Sequence, residues 1–190
     1  AVPSSSQSID LINSDRNIPK RTVFNVAPYL RYRYKMGKQR SLRIDYRGYS
    51  SQPSMNQLQP VEDRSDPLRI VVGNPELKPA FQNWFRARFN DYDEKTQRAI
   101  MAMVNGGFTT NSIISETTYD SKTGGQRTTY RNVNGVWNAA GMFMYSTPFR
   151  NKHWQLNSFS RVSYSNSVGY NNGVRNDAGS FNAVENLGLA

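Results

Sequence analysis

Between Phe81 and Asn90 the side chain changes character at almost every residue. Phe81, Phe85, Ala87 and Phe89 fall on one side of an extended chain, interrupted by Asn83. Gln82, Arg86, Arg88 and Asn90 take the other side, with Trp84 as an exception. Successive side chains of a strand point to opposite faces, so this period of two prescribes a strand with one apolar and one wet side. The period returns along the chain. Phe24, Val26, Pro28, Leu30, Tyr32 and Tyr34 oppose Asn25, Ala27, Tyr29, Arg31, Arg33 and Lys35, and Leu42, Ile44 and Tyr46 oppose Arg43, Asp45 and Arg47. Further on, Trp137, Ala139, Gly141, Phe143 and Tyr145 oppose Asn138, Ala140, Met142, Met144 and Ser146. No run carries a sustained apolar stripe at helical spacing. Eleven Tyr, nine Phe and three Trp, set among many small polar residues, suit half-exposed pleated faces.

The connections have a rhythm of their own. Residues 36–39, 93–96 and 148–152 read as short polar turns, whereas 49–79, the hairpin tip at 120–125 and 169–179 read as the tall ones. In an up-and-down sheet alternate turns lie at the same end, so one end is trimmed and the other tall. Bacterial outer-membrane barrels have this asymmetry. The runs 97–119 and 126–147 would each extend about 70 Å, whereas a tilted membrane-spanning strand needs only ~9–11 residues. The predicted fold is therefore all-β: an antiparallel up-and-down meander, part of a transmembrane β-barrel with short periplasmic turns and long extracellular loops. Residues 21–190 supply about seven strands of a larger barrel. Residues 1–20, rich in Ser, Asn and Asp and carrying Pro3 and Pro19, read as a loop or disordered lead-in.

Local signals refine this picture. Pro28 predicts a bulge or the end of pairing near that residue. Ser54 is placed to cap a short helical turn over 55–58, and 68–72 suits a short strand. Gly73-Asn74 ahead of Pro75 is turn chemistry, and Pro75 and Pro79 exclude regular ladder pairing between them. This stretch reads as the point where a long excursion re-enters the barrel wall, not as a ligand site. No run of 18 apolar residues exists, so no transmembrane helix is predicted. The opening Ala-Val-Pro-Ser-Ser-Ser has neither a basic nor an apolar leader region, and the last run stops in mid-alternation; both lead to the expectation of a mature or excised fragment.

The formal charge is +10, from 24 Lys and Arg against 14 Asp and Glu. Such a balance raises the question of nucleic acid, but the arginines are spread through the alternating runs, and no nucleic-acid partner is expected. An anionic surface or an anionic ligand accounts for the charge equally well. Arg31, Arg33, Arg43, Arg47, Arg86 and Arg88 are candidate lumen-facing residues that could select anions; the plainer alternative is that they are solvated and pair with Asp45 and neighbouring acids. Trp84, Trp137 and Trp154 are candidate membrane-interface aromatics, since amphipathic rings favour the headgroup level. The chain has no cysteine and one histidine, His153, so no metal site is expected. Glu62, Asp63 and Asp66 read as solvated loop charge. No nucleophile–base arrangement and no phosphate-binding glycine loop is present, so neither an enzyme nor a cofactor is predicted.

The block from Leu42 to Pro60, LRIDYRGYSSQPSMNQLQP, followed by DPLRIVVGNPELKP from Asp66 to Pro79, resembles the β-barrel portion of TonB-dependent outer-membrane receptors. The resemblance is to the Bacteroidetes-type outer membrane protein beta-barrel family, and YRNVNGVW at Tyr130–Trp137 is similar to it as well. It implies location in the bacterial outer membrane, a whole barrel of about 22 strands with a separate plug, and import of a ligand across that membrane. The partners it implies are outer-membrane lipid, the remaining strands and plug of the parent chain, TonB and a surface lipoprotein. The reading set against it is a soluble all-β module that binds a ligand or glycan through its Tyr and Trp residues.

Overall fold

The computed structural model describes residues 2–8, 18–149 and 153–190. Strands dominate. The first two, β1 (Val2–Ser8) and β2 (Ile18–Asn25), pair antiparallel as a sheet of their own. Most of the described lead-in is thus strand, contrary to expectation, because a ladder uses backbone N–H and C=O groups and requires no apolar alternation. Residues 9–17 of that segment lie outside the described part. The strand is then interrupted over residues 26–28: Pro28 has no N–H to give, although its carbonyl still accepts the Gly48 N–H at 2.8 Å.

The second sheet has eleven strands. Seven form the predicted meander: β3 (Tyr29–Lys35), β4 (Arg40–Ser51), β7 (Ala80–Asp93), β8 (Arg98–Thr110), β11 (Val136–Phe149), β12 (Trp154–Asn171) and β13 (Val174–Leu189), each antiparallel to its neighbour. The meander is open, with β3 and β13 at its two edges. The first two short turns fall where expected, between β3 and β4 and between β7 and β8, and residues 150–152 of the third lie outside the described part. At the tall end, however, residues 169–179 are not a loop: β12 and β13 run on to a two-residue turn at Asn172-Gly173, both at positive φ (49° and 77°). Asn-Gly suits that turn because its twist matches the flanking strands.

Four shorter strands form an outer tier: β5 (Glu62–Asp66), β6 (Arg69–Val72), β9 (Ser112–Tyr119) and β10 (Gln126–Val133). β8 runs into β9 and β10 into β11 as the two arms of one tall hairpin, in the same register above and below a break at Asn111 and Asn134-Gly135. At that break the arms exchange places. Below it, the ascending arm β8 lies beside β7 and the descending arm β11 beside β12. Above it, the ascending arm β9 touches the top of β12, and the descending arm β10 pairs with β6, the strand that leads to β7. The ribbon has made a half-turn about its long axis, the large twist that two-stranded ribbons allow. Asn111 and Gly135 take positive φ there (53° and 106°). Side chains replace the missing ladder bonds: Asn134 Oδ1 accepts the Asn111 N–H at 2.8 Å and Asn166 Nδ2 donates to Gly135 O at 2.7 Å.

The outer tier holds a small apolar core. Ser54 caps α1 (Met55–Leu58) with a reciprocal bond to Gln57, and the helix buries Leu58 against Leu77, with Ile113 and Tyr130 packed on them. Gly73 closes this unit because nothing larger fits: a Cβ there would stand 2.3 Å from Gln59 O. The meander has no comparable core. Among the described residues the buried apolar side chains are Leu58, Leu77, Ala80, Val133 and Val168. Leu42, Ile44, Phe85, Phe89, Ile100, Val104, Phe108, Phe143 and Val162 share one face of the meander by register, and several stand half open, Val104 at 61%. An apolar face of this extent left in water would be a large liability; covered by lipid, it is an ordinary barrel wall.

Candidate functional site: the basic face of the meander

The opposite face is wet and basic. Register brings Arg31, Arg33 and Lys35 of β3, Arg43, Asp45 and Arg47 of β4, Arg86 and Arg88 of β7 and Arg161 of β12 onto it together. Over the described residues of the seven strands this face carries those eight cations and one carboxylate, Asp45. All six arginines singled out in the sequence lie here, on three adjacent strands.

Asp45 is 5% exposed, covered by the groups that bind it. Arg31 Nε donates to it at 2.8 Å, Arg43 Nε and Nη2 at 2.7 and 3.1 Å, and the Tyr29 hydroxyl at 3.4 Å. One carboxylate therefore orients two guanidinium groups. The other four predicted arginines have no carboxylate partner among the described residues. Arg86 lies over the Trp84 ring at 4.6 Å and Arg47 over the Tyr29 ring at 5.7 Å. Arg88 donates to Asn90 Oδ1 at 3.1 Å and to Met101 Sδ at 3.2 Å. Guanidinium groups held by rings and amides keep their charge available, and their planar forks match carboxylates and phosphates. The face can concentrate and hold anions.

The three tryptophans do not lie together. Trp84 is on the basic face beneath Arg86, whereas Trp137 and Trp154 are on the apolar one. Trp137 stacks near Tyr164, with ring centroids 5.1 Å apart, and pairs with Asn166; Trp154 begins the same strand twelve residues earlier. Twelve residues span ~40 Å along a strand and about 28 Å at a ~45° tilt, the thickness of a bilayer core. Charge on the apolar face concentrates at its ends. Asp91 takes hydrogen bonds from Arg40 at 2.9 and 3.0 Å and from Arg98 at 3.4 Å beside the short turns, and Arg175 bonds Asp177 at 3.0 Å at the tall end. Glu185, on the edge strand, is the exception and accepts from Ser158.

The loop acids have local partners. Glu62 pairs with Arg127 at 2.7 Å, and Asp66 accepts the Leu68 N–H at 3.0 Å. The side chain of Asp63 lies outside the described part, and His153 stands beside the last short turn. Two features escaped the sequence reading. Arg161 belongs to the basic face, and Met101, Met103, Met142 and Met144 meet there as directly opposed pairs. Their even spacing within two alternating runs was the available signal.

The comparisons with curated proteins and with solved structures returned no match. The model of the outer membrane protein beta-barrel family matches residues 4–189, which include both sheets and the outer tier. A lipid-ready apolar face, a wet face and one trimmed end thus have their place: the chain belongs to the outer membrane protein beta-barrel family, and its location is the bacterial outer membrane.

Proposed function

We propose that this chain is wall from a TonB-dependent receptor barrel, with its basic face lining the lumen through which an anionic ligand is imported. The observation that carries the reading is the charge of that face, eight cations to one carboxylate. A low-dielectric wall lined by one sign of charge focuses the field and raises the local concentration of the opposite sign. On this reading TonB energises transport through the plug of the parent chain, the outer tier faces the medium and receives ligand from a surface lipoprotein, and the chain performs no chemical conversion.

Charge reversal in cells tests it. With Arg47, Arg86 and Arg88 changed to Glu in the parent receptor, growth on the receptor's anionic nutrient should fall at least tenfold while surface abundance is unchanged. Deleting TonB should abolish uptake by the unaltered receptor. Uptake that is indifferent to both changes would sink the proposal.

A further inference from the structure

Resting on the import reading, and adding a ligand class to it, we infer that a groove across the basic face is a subsite for an aromatic carboxylate. The register lays out one row of side chains, Arg88–Met103–Met142–Arg161, across β7, β8, β11 and β12. The next row toward the short turns is Asn90–Met101–Met144–Phe159. Four thioethers and one phenyl ring thus form a continuous apolar patch, closed at two corners by guanidinium groups. No other Met, Phe, Leu or Ile is placed on this face by the described strands of the meander; its other large apolar side chains are Trp84, Val136, Val174 and Val184.

Shape and charge both suit a ligand. A groove of about 520 Å³ runs along the second row, lined by Met101, Met144 and Phe159 together with Ala99, Ser146 and Asn157, and the first row, Arg88–Met103–Met142–Arg161, borders it. That volume lies in the range of small-molecule sites. Methionine side chains conform to varied apolar shapes and make favourable sulfur contacts with aromatic rings, which selects a flat aromatic body. Arg88 and Arg161 stand three strand spacings apart, ~14 Å, and neither has an ion pair among the described residues. Arg88 is already anchored at the rim by Asn90 and Met101. A carboxylate on the ring completes its fork. The same two cations disfavour a soft metal ion on the thioethers.

The probe is 2-naphthoate, titrated into the full chain in nonionic micelles with methyl-13C methionine. There are six methionines, and Met36, in a short turn, and Met55, in α1, are internal references. The methyl signals of Met101, Met103, Met142 and Met144 should shift together and saturate while the two references stay. Arg88→Gln with Arg161→Gln should weaken binding at least tenfold, and neutral 2-naphthalenemethanol should bind at least tenfold more weakly. The inference is overturned if the four signals do not move, if all six move together, or if the alcohol or laurate binds as well as naphthoate. Saturating shifts in a receptor whose cellular uptake proves independent of TonB would overturn the import reading and leave the groove standing.

Discussion

The side chain of Asn132 grips the backbone of Lys78 at both of its polar groups: Oδ1 accepts the Lys78 N–H at 2.7 Å and Nδ2 donates to Lys78 O at 2.9 Å. An asparagine amide here imitates a strand partner. It does so where Pro79 has no N–H to give and regular pairing has lapsed, and the same Nδ2 donates to Asn111 O at 2.8 Å. Asn74 adds a second tie, from Nδ2 to Tyr130 O at 2.8 Å. The stretch from Gly73 to Pro79 is therefore held against the returning arm of the tall hairpin, at the level where that hairpin makes its half-turn.

Asn132→Ala removes two bonds to the exposed Lys78 backbone and one to the half-buried Asn111 O, so it should destabilise the outer tier by ~0.5–1.5 kcal/mol. Asn132→Asp keeps the acceptor for Lys78 N–H and loses the donor, and should fall between the two. Urea unfolding in micelles, followed at the outer tier, measures both. An alanine variant as stable as the parent would mean that the clasp is incidental.

Leu77 is 1% exposed and packs on Leu58. Leu77→Ala should cost ~2–4 kcal/mol, the transfer term plus an unfilled cavity. The damage should be local, because the meander does not depend on this core. Limited proteolysis should cut within 52–79 while β7 and β8 stay protected; equal loss of protection in both would contradict a self-contained outer tier.

Much of this was legible beforehand. Period two assigned Arg43, Asp45, Arg47, Arg86 and Arg88 to one face before any register was known, since alternation fixes faces without fixing partners. Ser54 announced its cap, and Pro28 announced a break in the strand. What stayed hidden depends on pairing across distance. Nothing in the alternation of 97–119 and 126–147 marks Asn111 and Asn134-Gly135 as a crossing, because the register is the same on both sides of it. The polar residues of 169–179 looked like a loop, yet Asn172-Gly173 suffices as a turn and its neighbours find partners in the facing strand. Trp84 is a different case: its parity already set it on the polar side, and only its grouping with Trp137 and Trp154 as an interface aromatic parts from the structure.

Asp120 reports on the hairpin tip. Its Oδ1 accepts the Lys122 N–H at 2.9 Å and its Oδ2 the Thr123 hydroxyl at 2.9 Å. Those bonds, the Lys122 amide first, hold its carboxyl below the usual carboxylate range. A group with a lowered folded pKa contributes stability that is present above its unfolded value of ~3.9 and lost as pH falls through the folded one. The Lys122 amide signal, followed by NMR in micelles, should keep its neutral-pH position down to about pH 4 and move only below it. Asp120→Asn should abolish that inflection. An inflection above pH 4.5 would contradict the assignment.

The central claim is that one face of the meander lies against lipid and the other against water. The chain has no cysteine, so single cysteines can be placed at 85, 86, 87, 88 and 89 on β7 and spin-labelled in bilayers. Collision rates with oxygen should be high at 85, 87 and 89, and rates with a water-soluble nickel complex high at 86 and 88, giving two curves of period two in opposite phase. Rates that do not alternate, or that favour the nickel complex at all five positions, would contradict the account.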